Sequence, residues 1–182
     1  IYEVLERQKM KKNNLKIIAC VSIMAALAVV LKSFGIMIGD SMRISFFAVP
    51  LMIAGLIGGF GWGLVAALAA DMIYGFFFNP FGFNPIYTIS ALLWGVVGGI
   101  LKVYSKKHNK LPWLFLTGVI LISSLLETSN NALWDFVLYD KGTTLVLFGY
   151  KLIAIAIKLP IIVLLIKLLN DRVLKLIFKQ EA

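Results

Sequence analysis

The sequence predicts an all-α integral membrane protein, a compact bundle of six transmembrane helices with both termini cytoplasmic. Three observations carry this reading. The 182-residue chain is 60% hydrophobic and only 15% charged, whereas an ordinary soluble domain carries about 25% charged residues. The apolar residues come in long runs; a spanning helix needs about 20 of them, which leaves room for six spans in one domain. The basic residues lie in the gaps between runs, where cytoplasmic loops collect them. The net charge of +9 therefore speaks for membrane topology and against a nucleic-acid partner.

Residues 1–16, "IYEVLERQKMKKNNLK", are polar and basic. They lack the signal-peptide order of a short apolar core before a small-residue cleavage site, and they read as a cytoplasmic lead-in to a transmembrane domain at 17–169. The first span covers about 17–32. Between Ile44 and Phe78 the only charged residue is Asp71. As one helix these residues would reach about 52 Å, against a hydrocarbon core of about 30 Å, so they must fold back. "GLIGGFGWG" (55–63) is the natural place, because glycine lets backbones turn and pack closely. This predicts a short second span at 44–57 and a third at 62–78. "NPFGFNP" (79–85) is a turn whose Asn-Pro steps are biased away from helix. A fourth span covers 86–103, and "KVYSKKHNKLP" (102–112) is a basic loop. The fifth runs 113–139, "DKG" (140–142) turns the chain, and the sixth covers 145–169. A basic cytoplasmic tail fills 170–182.

Orientation follows from the lysines and arginines. Arg7, Lys9, Lys11, Lys12 and Lys16 precede the first span; Lys102, Lys106, Lys107 and Lys110 follow the fourth; Lys167, Arg172, Lys175 and Lys179 follow or end the sixth. All thirteen fall on one side of a six-span bundle, which places both termini inside. Lys32, Arg43, Lys141 and Lys151 lie towards the other side.

Ionisable groups within spans are costly and usually mark a site. Asp71 falls near mid-membrane, and Tyr74, Phe77 and Phe78 continue outward from it. Glu127, Asn130, Asn131 and Trp134 follow i, i+3, i+4, i+7 on the fifth span and share one face. Tyr87, Ser90 and Trp94 do so on the fourth, and Lys151 and Lys158 on the sixth. With Arg43 and the aromatic turn holding Asn84, these residues form a polar, aromatic cavity open to the outside. Aromatic walls with a few convergent polar groups suit a flat, partly polar organic ligand.

Plainer readings stand beside this one. Asp71 and Glu127 could pair with Lys158 or satisfy a kinked backbone. Trp62, Tyr104 and Trp113 suit an interfacial belt, and His108 a solvated loop. Cys20 is the single cysteine, so there is no disulfide framework, and it packs as a small hydrophobe. No phosphate-binding loop is present, so the chain does not hydrolyse ATP by itself. No His/Cys cluster suggests a metal, no nucleophile–base pair suggests an enzyme, and no cofactor is expected. A stand-alone ion-coupled transporter using Asp71 and Glu127 is the competing class; the lack of inverted repeats in so short a chain counts against it.

"GDSMRISFFAVPLMIAGLIGGFGWGLVAALAAD" (39–71), "NPFGFNPIYTISALLWGVVGGIL" (79–101) and "SNNALWDFVLY" (129–139) resemble folate-type substrate-binding subunits of energy-coupling factor (ECF) transporters. The likeness spans about residues 15–170, and the R-I-S-F turn is its most specific part. Two positions depart from the family pattern. Phe60 stands where the glycine hairpin commonly has proline, and Asp135 places a charge where an apolar residue is expected.

The resemblance implies a division of labour in a bacterial cell membrane. This subunit would capture folate or a related vitamin outside, while a membrane scaffold subunit and two ATPases drive release inside. Riboflavin or thiamin is the nearest rival ligand. Arg43 and Lys151 would meet the glutamate tail, since both side-chain types suit carboxylates, and the deeper aromatic and amide groups would hold the pterin. For Arg43 the plain alternative is an interfacial residue paired with Asp40. In the first helix Ser22 and Ala26, with Ala25 beside them, form the kind of small-residue strip that the family uses to meet its scaffold; the alternative is packing within the bundle.

Overall fold

The computed structural model describes the backbone of residues 2–38, 42–80, 82–108, 111–139 and 144–174, and side chains within 14–36, 44–80, 82–108, 111–137 and 148–171. The described residues form six α-helices and one short hairpin. In chain order these are α1 (Tyr2–Ser33), β1 (Ile36–Ile38), β2 (Met42–Ile44), α2 (Ala48–Gly58), α3 (Phe60–Phe77), α4 (Pro85–His108), α5 (Trp113–Tyr139) and α6 (Thr144–Leu168), closed by a π-helical stretch, Leu169–Leu174.

Five helices are long and apolar enough to cross a membrane. The sixth, α2, is not: its 11 residues reach only about 16 Å at 1.5 Å per residue. The expected short second span is present within the six-helix bundle, but it starts at Ala48 and not at Ile44. Residues Met42–Ile44 instead pair antiparallel with Ile36–Ile38, Ile36 opposite Ile44 and Met37 opposite Arg43. Two Ile-Met-rich segments around a turn suit a pleated hairpin as well as a helix, and pairing leaves only the stretch from Ala48 for α2. At the other end of α1, the polar lead-in is helical from Tyr2 onward, as a run of Glu, Lys, Arg, Gln, Met and Leu without Pro or Gly allows.

Helix α2 is apolar all round and sits in the middle of the bundle. Every residue from Ala48 to Ile57 is buried, with α1, α3, α4 and α6 packed about it. The chain reverses into α3 at a single residue, Gly59, whose φ of 87° lies in the region that side chains disfavour. Helix α4 then crosses the α2–α3 hairpin at glycine-to-glycine contacts. A Cβ on Gly98 would stand 2.3 Å from the Met52 carbonyl oxygen, and one on Gly95 would stand 2.3 Å from that of Gly63. Neither position can carry a side chain without separating the helices, so small residues set the interaxial distance here.

Between α3 and α4 the turn is tied by the Asn79 amide, which donates to the Gly82 carbonyl at 2.6 Å, and by the stacked rings of Phe76 and Phe83, 4.9 Å apart. Asn84 caps α4, its side-chain oxygen accepting from the Ile86 N–H at 3.1 Å, with Pro85 at the first helical position as N-terminal turns favour. From there α4 packs against α5, α5 against α6, and α6 also against α2 and β2.

Candidate functional site

Helices α4 and α5 run antiparallel, so polar residues that descend along one meet residues that ascend along the other. Trp94, Ser90 and Tyr87 on α4 face Glu127, Asn131 and Asp135 on α5, each set keeping to one helix face by its spacing of three or four. Three rungs result. The Trp94 indole N–H donates to Glu127 Oε2 at 3.1 Å. The Ser90 hydroxyl donates to Asn131 Oδ1 at 2.8 Å and accepts from Asn130 Nδ2 at 3.1 Å. The Tyr87 hydroxyl donates to Asp135 Oδ1 at 2.6 Å.

Helix α6 supplies the cations. Lys151 Nζ donates to Asp135 Oδ2 at 2.6 Å, and Lys158 lies seven residues further along the helix. The spacing of seven keeps both lysines on one side of α6.

A fourth polar group lies across the bundle. Asp71 on α3 is buried, at 4% exposure, and both of its oxygens are engaged. Lys32, in the last turn of α1, donates to Oδ1, and the Thr88 hydroxyl on α4 donates to Oδ2 at 2.6 Å. The Lys32 ammonium also lies 4.7 Å from the centre of the Tyr74 ring and 5.2 Å from that of Phe47, within cation–π range. A buried carboxylate is tolerable when it is paired and hydrogen-bonded; Asp71 has both. Among the described residues no buried side-chain nitrogen or oxygen lacks a partner.

The structure thus places Tyr87, Trp94, Glu127, Asn131 and Lys151 along the rungs between α4, α5 and α6, and Asp71 and Tyr74 in a second group that shares α4 through Thr88. Trp94 is itself buried, at 1% exposure, so its ring packs in the core and its N–H reaches the polar rung. Trp134 is half-buried on α5 between Asn131 and Asp135. The amide oxygen of Asn84 is spent on the cap of α4. Arg43 has its backbone in β2, and its side chain falls outside the described residues. On α1, Ser22 and Ala26 are exposed and Ala25 is half-buried, while Val21, Ala28 and Val29 turn inward.

Sequence reasoning missed Lys32 and Thr88 as partners of Asp71, and it left Asp135 outside the site. For Asp135 a signal existed, since it continues the four-residue spacing of Glu127 and Asn131. For Lys32 the signal was weaker: it is the basic residue in the last turn of α1, and a buried acid requires a cation nearby. Within the region Asp71 pairs with Lys32 and Asp135 with Lys151, so each of these charges is matched by a neighbour. A nearly neutral site with alternating donors and acceptors, bordered by Tyr74, Tyr87 and Phe47, can read the edge of a flat heterocycle without demanding a strongly charged one.

Residues 16–179 match the family model of the ECF transporter substrate-specific component. The chain belongs to that family. As a substrate-specific component it is a transport protein and not an enzyme, and its five span-length apolar helices make it a multi-pass membrane protein. Its fold is similar to a solved structure described as "Crystal structure of FolT bound with folic acid", with a TM-score of 0.73 and 23% sequence identity, covering 86% of this chain and 93% of that one. No curated protein matches the chain in sequence.

Proposed function

We propose that this substrate-specific component binds folate. In this reading it sits in the plasma membrane of a bacterium with both termini cytoplasmic, captures the vitamin from outside, and passes it inward through a scaffold subunit and two ATPases. The observation that carries the ligand assignment is the fold shared across 86% of the chain with FolT, a protein solved with folic acid bound.

The three-rung region supports the assignment chemically. A pterin ring is flat, nearly neutral and lined with alternating donors and acceptors. Glu127, Asn131 and Ser90 offer such groups in sequence along one wall, with aromatic rings at its border. A site of this kind discriminates by the unpaired polar groups that a wrong ligand would leave behind. Lys151 and the proposed contribution of Arg43 serve the anionic glutamate tail, where Arg and Lys are suited to carboxylates. The exposure of Ser22 and Ala26 on α1 supports a scaffold-facing role for that strip, because small side chains allow a second helix to approach closely. The orientation rests on the basic residues gathered at the N-terminal segment, the α4–α5 loop and the tail.

Native mass spectrometry of the detergent-solubilised protein tests the ligand assignment. The mass of a bound folate species is expected; a riboflavin or thiamin species in its place would overturn the assignment and leave the family membership intact.

A further inference from the structure

The outermost rung contains a charge that the ligand reading does not require. Asp135 accepts from Tyr87 and from Lys151, both at 2.6 Å. Its side chain is 31% exposed and that of Lys151 is 18% exposed, so the pair stands at the open side of the polar region, unlike buried Asp71. Among the described residues Asp135 is the single partner of Lys151. A lysine ammonium carries three donors, and this contact uses one, so Lys151 retains donors for a second acceptor while its charge is already matched.

From this arrangement we infer that Asp135 is a specificity-determining residue that sets how strongly the site favours anionic ligands. The inference rests on the folate reading above. Lys151 is the cation that α6 presents to a ligand carboxylate, and Asp135 places a fixed negative charge against it. An incoming carboxylate therefore meets a neutral pair. The site keeps the hydrogen-bond geometry of Lys151, held by Asp135, which Tyr87 in turn fixes, and gives up most of its long-range pull. Such tempering weakens the bound state and eases release, which an importer subunit requires as much as capture.

The test compares folic acid with its neutral bis-amide, in which both tail carboxylates become carboxamides and the shape is kept. Removing one unit charge about 6 Å from the tail in a half-wet site corresponds to about a tenfold change. Asp135→Asn is therefore expected to tighten folic acid about tenfold and to change bis-amide affinity by less than about twofold. Its folic acid affinity should also fall more steeply with added NaCl than that of wild type. The double variant Asp135→Asn/Lys151→Gln restores a neutral rung and should return the ratio of the two affinities to within about twofold of wild type.

A purely structural role for Asp135 gives a different pattern. Asp135→Asn would then weaken both ligands equally, with no change in salt dependence and no return of the ratio in the double variant, and that result would overturn the inference while wild-type folate binding stands. Wild-type protein that binds neither ligand would overturn the inference and the folate reading together.

Discussion

Asp71→Ala should destabilise the protein as much as the loss of a large core side chain, although Asp71 is small and polar. The substitution leaves the Lys32 ammonium, whose side chain is 18% exposed, without its carboxylate, and it removes the acceptor of the buried Thr88 hydroxyl. Breaking a buried ion pair from one side costs about 3–5 kcal/mol, because the surviving charge remains desolvated. For a chain of this size that corresponds to a fall in Tm of about 6–20 °C. Replacing the pair and the hydroxyl together by apolar residues of similar volume, Lys32→Met with Asp71→Leu and Thr88→Val, removes both the charge problem and the orphaned hydroxyl and should leave the Tm within about 4 °C of wild type. The assay is thermal unfolding in detergent with a thiol-reactive dye, for which the half-buried Cys20, the single cysteine of the chain, is the reporter. An Asp71→Ala variant that melts with the wild type would mean that the pair contributes nothing. A triple variant as unstable as the single one would mean that the loss comes from packing and not from an orphaned charge or hydroxyl.

Other substitutions probe the remaining parts of the structure. Gly98→Val should prevent α4 from seating on α2, because a Cβ there already meets the Met52 carbonyl oxygen at 2.3 Å; a loss of at least 1–3 kcal/mol of stability, of the order of core overpacking, is expected in the same melting assay. Asn131→Ala should weaken folic acid by about 1–3 kcal/mol in calorimetric titration, the cost of an unpaired buried polar group, and unchanged affinity would take Asn131 out of the site. Arg43→Ala should weaken folic acid more than an analogue without the glutamate tail; equal losses would assign Arg43 to the fold. Ser22→Leu with Ala26→Leu should leave folic acid binding in detergent near wild type while abolishing uptake in proteoliposomes that contain the scaffold and ATPases. Loss of binding by that double variant without partners would refute the docking role.

The parts of the fold that depend on hydropathy were legible before the structure. Helices α3, α5 and α6 begin and end within two residues of the expected limits, because Gly59, the Asn-Pro turn and the Leu-Pro step before Trp113 interrupt long apolar runs. Helix α4 instead continues to His108, through most of the stretch expected as a basic loop, since Lys, Tyr and Ser are compatible with a helix and the first proline of that stretch comes only at Pro112. The start of α2 was not legible in the same way. Ile44 to Phe47 is as apolar as the helix that follows, and hydropathy cannot separate a strand from a helix over so few residues. The ladder between α4 and α5 was legible as two polar faces, since helical spacing alone brings Tyr87, Ser90 and Trp94 to one side and Glu127 and Asn131 to another. Their pairing needed the register of two antiparallel helices, which local spacing does not contain. The partner of Asp71 was hidden for a related reason. Lys32 is 39 residues away along the chain, and only the packing of α1 on α3 brings the two together.

A fluorescence titration of the purified chain alone tests whether it binds folate. Trp134 lies half-buried beside Asn131, and the Trp94 indole is bonded to Glu127, so a flat chromophore bound against these rungs should quench tryptophan emission. Saturable quenching by folic acid at a stoichiometry near one, with no saturable response to riboflavin or thiamin, is the expected result. Saturable quenching by riboflavin or thiamin and none by folic acid would contradict the account.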